Sequence, residues 1–276
     1  MKRVLIIVLL LLLIGNFSYR IDLRKSPHEL IGELMYFPSG TAIRALSMGF
    51  YAPLADLIWL RFVQYYGEHR LTDAKFELMY HILDVLTTLD QKFLYAYTLG
   101  GLMLTTESNN PEQARKLLHK GIHANTDDWR IPFVYGFIHY VFLHKYHIAE
   151  AYFRLSAQKP NAPDIPQRWA AYVLYTKLGD LRTSLGLWID LYMSTENPEE
   201  KAIAEIYIRD IKMELDIEFL NAKIEEFIEK TGQIPYTFRT LIAYGLLDSI
   251  PAEPHNEDYI IREGKAYSTW QFKFKR

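Results

Sequence analysis

The sequence predicts an all-α fold: helix-turn-helix pairs stacked into a solenoid, with an N-terminal membrane helix and a small C-terminal helix-plus-hairpin segment. Three observations predict it. Turn signals at Asn109-Asn110-Pro111, Pro160-Asn161-Ala162-Pro163, Leu178-Gly179-Asp180 and Glu196-Asn197-Pro198 divide stretches of helical patterning. Past Ala55 no run of alternating apolar and polar residues competes with that reading. The chain is also self-similar at an offset of 35 residues.

At the N-terminus, Met1-Lys2-Arg3 precedes eleven uninterrupted aliphatic residues, Val4 to Ile14, which is the layout of an export signal. Carried on to Tyr19, the segment gives about 24 Å of helix against a hydrocarbon core of roughly 30 Å. Asn16 and Ser18 make a poor cleavage site, so residues 1–19 are expected to stay as an uncleaved signal anchor. Lys2 and Arg3 place the N-terminus inside, although Arg20, Arg24 and Lys25 weaken that bias. The expected location is the inner (cytoplasmic) membrane, crossed once through residues 4–19, with the body in the periplasm. Residues 20–54 form a juxtamembrane segment in which Phe37 to Gly40 reads as a loop and helix start.

Residues 55–193 carry the period. Met79, Ala114, Ala149 and Ser184 are small or slim residues at the offset of 35; Leu83, Leu118, Phe153 and Trp188 follow one turn later. A third register is Leu86, Gly121, Ser156 and Leu191, and Gly101 with Gly136 and Tyr140 with Tyr175 repeat in the preceding helices. The small residue lets paired helices approach, and the large one fills the gap toward the next pair. A lone pair cannot bury that face, so the pairs must stack.

These residues resemble the tetratricopeptide repeat (TPR) family. Phe133, Tyr140, Tyr146, Ala149, Phe153 and Pro160 stand at its signature places in one unit, and Tyr175, Gly179 and Trp188 in the next. His144 replaces the usual turn glycine, and Ser184 the usual alanine. The resemblance covers about half the chain and implies a right-handed α-α superhelix used for protein binding. It extends, more loosely, to envelope proteins in which such repeats follow a short anchor, with Ala55 to Arg70 as the array's opening and Leu89 to Gly101 as a repeat junction.

Beyond the repeats, residues 198–230 read as a further helical pair, Pro198 to Asp216 and Ile217 to Lys230, stopped by Gly232 and Pro235. Residues 231–276 then read as a short helix, a proline-marked loop and a hairpin turning near Arg262-Glu263-Gly264-Lys265. Leu241 to Thr269 resembles the terminal segment of major pseudopilins. Glu253 stands where that family has aspartate, and His255-Asn256 replace a glycine-bearing step, so its calcium loop is not expected here.

Composition narrows the function. Lys and Arg number 31 against 33 Asp and Glu, and the net charge of -2 gives no general attraction to nucleic acid. Without cysteine there is no disulfide, thiolate metal site or cysteine nucleophile. No phosphate loop, nucleophile elbow or Ser-His-Asp order appears, so no enzyme, cofactor or small-molecule substrate is expected. The acidic pairs Asp127-Asp128 and Glu199-Glu200 are expected near helix starts as caps, and Asp56 with Arg61 as a structural ion pair.

In a stacked array the first helix of each pair lines the inner face. Register places Leu99, Met103, Val134, Ile138, Val141, Phe142, Trp169 and Val173 on that face, with Arg61, Gln64, Glu68 and Lys177 at its ends. Its apolar middle suits a helix or apolar strand of another envelope protein. The function expected is thus a membrane-anchored scaffold or adaptor for protein-protein interaction, in a secretion or pilus-type assembly by resemblance. Two alternatives stand beside it. His119 and His123, four apart on one helix, present two imidazoles as metal binding or envelope enzyme chemistry requires. A self-filled oligomer builder would instead use Tyr259, Tyr267, Trp270, Phe272 and Phe274 to occupy the groove.

Overall fold

The computed structural model describes residues 39–270, together with the isolated positions Leu13, Asn16 and Arg20. Apart from those isolated positions, the expected anchor over residues 1–19 lies outside the described residues, as do most of the juxtamembrane segment, Phe272 and Phe274. Among the described residues, no helix is long and apolar enough to cross a membrane.

The described chain is mainly α-helical with one two-stranded sheet, and it divides into two compact units, residues 1–126 and 127–276. In the first unit, α1 spans Gly40–Leu46, α2 Tyr51–Leu71, α3 Met79–Leu89, α4 Leu94–Thr106 and α5 Pro111–Ala124. In the second, α6 spans Arg130–Val141, α7 Tyr146–Ala157, α8 Asp164–Val173 and α9 Leu181–Ser194. There follow α10, Pro198–Thr231, α11, Phe238–Ala243, and the strands β1, Tyr259–Arg262, and β2, Lys265–Ser268.

The 35-residue register sets both helix starts and burial. Helices α5, α7 and α9 begin at Pro111, Tyr146 and Leu181, two steps of 35. Every position of the three repeated registers, from Met79 through Leu191, is buried. The small residues make close helix crossings. In the first unit a Cβ on Gly101 would stand 2.8 Å from Leu118 Cδ1, and one on Gly121 2.6 Å from Tyr97 Cδ1. In the second a Cβ on Gly136 would stand 3.0 Å from both Ala149 O and the Phe153 ring, and Ser184 Oγ donates to Ala171 O at 2.8 Å.

Turn chemistry fixes the ends. Asn110 Oδ1 accepts from Gln113 N at 3.1 Å, Asp180 Oδ1 from Thr183 N at 3.1 Å, and Asn197 Oδ1 from Glu199 N at 2.9 Å, each capping a helix start. Asp128 Oδ1 accepts from Arg130 N at 2.9 Å, as its place before α6 predicts. Glu199 and Glu200 lie in the first turn of α10, but Asn197 is the cap and Glu200 pairs with Arg168. His144, in the place of a turn glycine, adopts a left-handed φ of 53°. Arg61 donates to Gln64 Oε1 at 3.2 Å, and among the described residues it forms no ion pair with Asp56.

Two local features differ from expectation. The pair expected over residues 198–230 is one continuous helix of 34 residues, because nothing between Asp216 and Ile217 breaks it. It stops where predicted: Gly232 has φ 69° and donates to Ile228 O at 2.8 Å. Helix α8 ends in a π-helical turn, Leu174–Leu178, before Gly179 turns the chain at φ 68°.

The C-terminal part packs on α10. Phe238, Leu241, Leu247, Tyr259 and Ala266 share a core with Leu220, Ile224 and Phe227 of that helix. The hairpin pairs Arg262 with Lys265 across Glu263 and Gly264, both at positive φ, the geometry of a type I′ turn. Asn221 Oδ1 accepts from Ala266 N at 2.8 Å, and Tyr259 donates to Asp216 Oδ2 at 2.9 Å. Glu253 organises the loop: Oε2 accepts from His255 N at 2.6 Å and Glu257 N at 3.1 Å, and Oε1 from Ser268 Oγ at 2.8 Å.

Candidate functional site

The second unit contains an aromatic cavity of about 340 Å³. Tyr140 from the end of α6, Arg168, Trp169 and Tyr172 from α8, Trp188 from α9, and Ile203 and Tyr207 from α10 line it. Their places follow from the repeat. Tyr172 and Tyr207 are 35 apart, so they stand at matching turns of α8 and α10. Trp188 continues the Leu83, Leu118, Phe153 register.

The rings hold one another in a chain. Tyr140 and Trp169 meet at 5.3 Å and 77°, Trp169 and Tyr172 at 6.2 Å and 75°, and Tyr172 and Tyr207 at 6.0 Å and 83°. Tyr207 then stacks on Trp188 at 4.4 Å and 9°. Edge-to-face contacts of this kind are worth about 0.5–1.5 kcal/mol each beyond burial, so the walls are preorganised. Burial, more than any neighbouring charge, pushes the Tyr140 and Tyr207 hydroxyls above the ordinary phenol range, which keeps them neutral donors.

Arg168 supplies the polar edge. Its guanidinium donates to Glu200 Oε1 at 2.6 Å, which neutralises the charge and fixes the fork beside Trp169. Glu200 Oε2 and Trp188 Nε1 are buried without a hydrogen-bond partner, so packing alone holds Trp188 in the wall. Beyond the cavity, Tyr175 of the π turn donates to Glu214 Oε1 of α10 at 2.6 Å, and burial raises the Tyr175 hydroxyl far above the ordinary range.

The expected face residues distribute unevenly. In the first unit, on α4, Leu99 is exposed and Met103 half-buried; on α2, Arg61 and Gln64 are exposed and Glu68 is half-buried. In the second unit Val141 and Phe142 are exposed, Val134 is half-buried, and Ile138 and Val173 are buried in the core. Lys177 lies over the Tyr146 ring at 5.6 Å. Trp169 is the expected face residue that enters the cavity. Of the other six lining residues, Tyr140 and Trp188 were legible as repeat positions, whereas Arg168, Tyr172, Ile203 and Tyr207 were not legible as part of a site. The signal that would have joined them is the Tyr172 and Tyr207 pair at the repeat offset.

In the first unit His119 and His123 face each other with ring centroids 6.2 Å apart, and His123 Nδ1 bonds to His119 O at 2.7 Å. That bond commits His123 Nδ1 to donation. Burial, with help from Arg115 and His123, pulls His119 below the ordinary imidazole value. Among the described residues no group of three His, Asp or Glu side chains is arranged to hold a metal ion. A second cavity, edged by Arg44, Tyr51, Pro53 and Asp90, is partly closed by Arg44 donating to Thr88 O at 2.8 Å.

No family model, curated protein or solved structure matches this chain.

Proposed function

We propose that this protein is a membrane-anchored scaffold whose helical pairs are divergent tetratricopeptide-type repeats, and that it binds a segment of another envelope protein in the aromatic cavity of its second unit. The assembly it serves is of the secretion or pilus type. The observation that carries the reading is the cavity itself: five mutually braced rings and one neutralised arginine on helices α6, α8, α9 and α10. Cavities of this size with an apolar lining and few polar groups are where ligands bind. Rigid aromatic walls suit partner side chains because little conformational freedom is lost on contact. The recurring small-then-large register, buried at every copy, supports the repeat assignment.

The test is site-specific photocrosslinking in native membranes. A benzophenone residue at Tyr172 is expected to give one discrete adduct, lost when Trp169→Ala is added and absent when the probe sits at exposed Arg209. Equal labelling from both positions, or no adduct at Tyr172, sinks the reading.

A further inference from the structure

We propose that the aromatic cavity lined by Tyr140, Arg168, Trp169, Tyr172, Trp188 and Tyr207 receives an extended, proline-containing peptide segment. This inference rests on the adaptor reading and narrows it to one ligand class. Size argues first. The cavity holds about 340 Å³, room for a few residues of extended chain.

Polar complementarity argues second. None of the lining residues carries a carboxylate, so the wall offers hydroxyls and the guanidinium of Arg168. That guanidinium has five donors in a fork, and one nitrogen, Nη1, donates to Glu200. With no carboxylate in the wall, the remaining guanidinium donors of Arg168 are matched by a ligand that brings acceptors and few donors. Proline residues do so, since they have carbonyls but no N–H.

Ring geometry argues third. Successive rings from Tyr140 through Tyr207 stand nearly perpendicular, so the wall is faceted and not flat. Faceted aromatic surfaces seat the ridges of a polyproline II helix, which is already extended and loses little entropy on docking.

The experiment titrates the full chain in detergent micelles with decaproline, with a glycine-serine decapeptide, and with a β-linked glucose tetramer, followed by tryptophan fluorescence and calorimetry. Decaproline is expected to bind saturably and the other two probes not to bind. Tyr172→Ala and Trp169→Ala are each expected to weaken decaproline binding at least tenfold, and Tyr172→Phe, which keeps the ring, less than threefold. Tyr140→Leu supplies a second test, a loss of at least threefold, should either alanine variant lose its circular dichroism melt. Absence of decaproline binding, sugar binding in its place, or binding unchanged in every folded variant overturns the proposal. So does self-association that Trp169→Ala abolishes, since a second copy would then be the occupant. If decaproline fails while the Tyr172 crosslink persists, the ligand class falls and the adaptor reading stands.

Discussion

Trp188 shows how a single residue serves both packing and site. It is fully buried, stacked on Tyr207, and its indole N–H has no partner. Truncation to alanine should cost about 3–5 kcal/mol through lost burial and an unfilled void. Trp188→Phe should cost much less, because it keeps a ring and removes a donor that had nothing to lose. Chemical denaturation of both variants checks the contrast; equal losses would mean the indole nitrogen is bonded. His144 makes the opposite point. Its left-handed backbone is unfavourable for any residue with a Cβ, and its exposed side chain makes one long hydrogen bond, at 3.4 Å, and a tilted ring contact, both to Tyr146. His144→Gly should therefore raise stability by about 1 kcal/mol, read as a higher melting temperature.

At the scale of elements, α10 and the hairpin carry the testable chemistry. Glu226 bridges Lys223 at 2.9 Å and Lys230 at 2.7 Å, and those hydrogen bonds, Lys230's first, pull its carboxyl down to about 2. A carboxylate depressed in the folded state adds stability that is fully present above its unfolded value. That stability is lost as pH falls through about 2. Glu226→Gln should flatten this part of the stability curve between pH about 4.5 and 2, lowering stability slightly at neutral pH, because the pair is exposed, and leaving it unchanged at the acid end. Thermal melts across that window decide it, and an unchanged slope would assign the acid sensitivity elsewhere.

Much of this level was legible in the sequence. The registers through Met79, Leu83 and Leu86 named buried positions in every copy; Asn110, Asp180 and Asn197 announced helix starts, and Glu263-Gly264 announced the turn. What stayed hidden depends on contacts between distant residues. Residues 198–230 read as two helices meeting at Asp216, yet packing on two successive cores keeps α10 intact. The π turn after Val173 leaves no compositional trace. The cavity required knowing that α10 brings Tyr207 against Trp188, which periodicity implies only once α10 is counted with the repeat.

For the whole molecule, the all-α class and small terminal hairpin were readable, whereas Ile138 and Val173 show the limit of assigning a face by register alone. Helices that pack on neighbours along both sides have no single outward stripe, so two of the expected face residues became core. The N-terminal segment yields a prediction at this scale. The full chain should remain with membranes through alkaline carbonate extraction, and a chain starting at Arg20 should move to the supernatant. Recovery of the full chain in the supernatant would remove the anchor from the reading.

The uninterrupted course of α10 has a mechanical corollary. Its first turns carry Ile203 and Tyr207 in one core, while Leu220, Ile224 and Phe227 seat the hairpin in another, along a rod about 50 Å long. A stiff shaft clamped at both ends does not let either clamp turn alone. The wall at Tyr207 and the seat under Tyr259 are thus two stretches of a single unbroken rod.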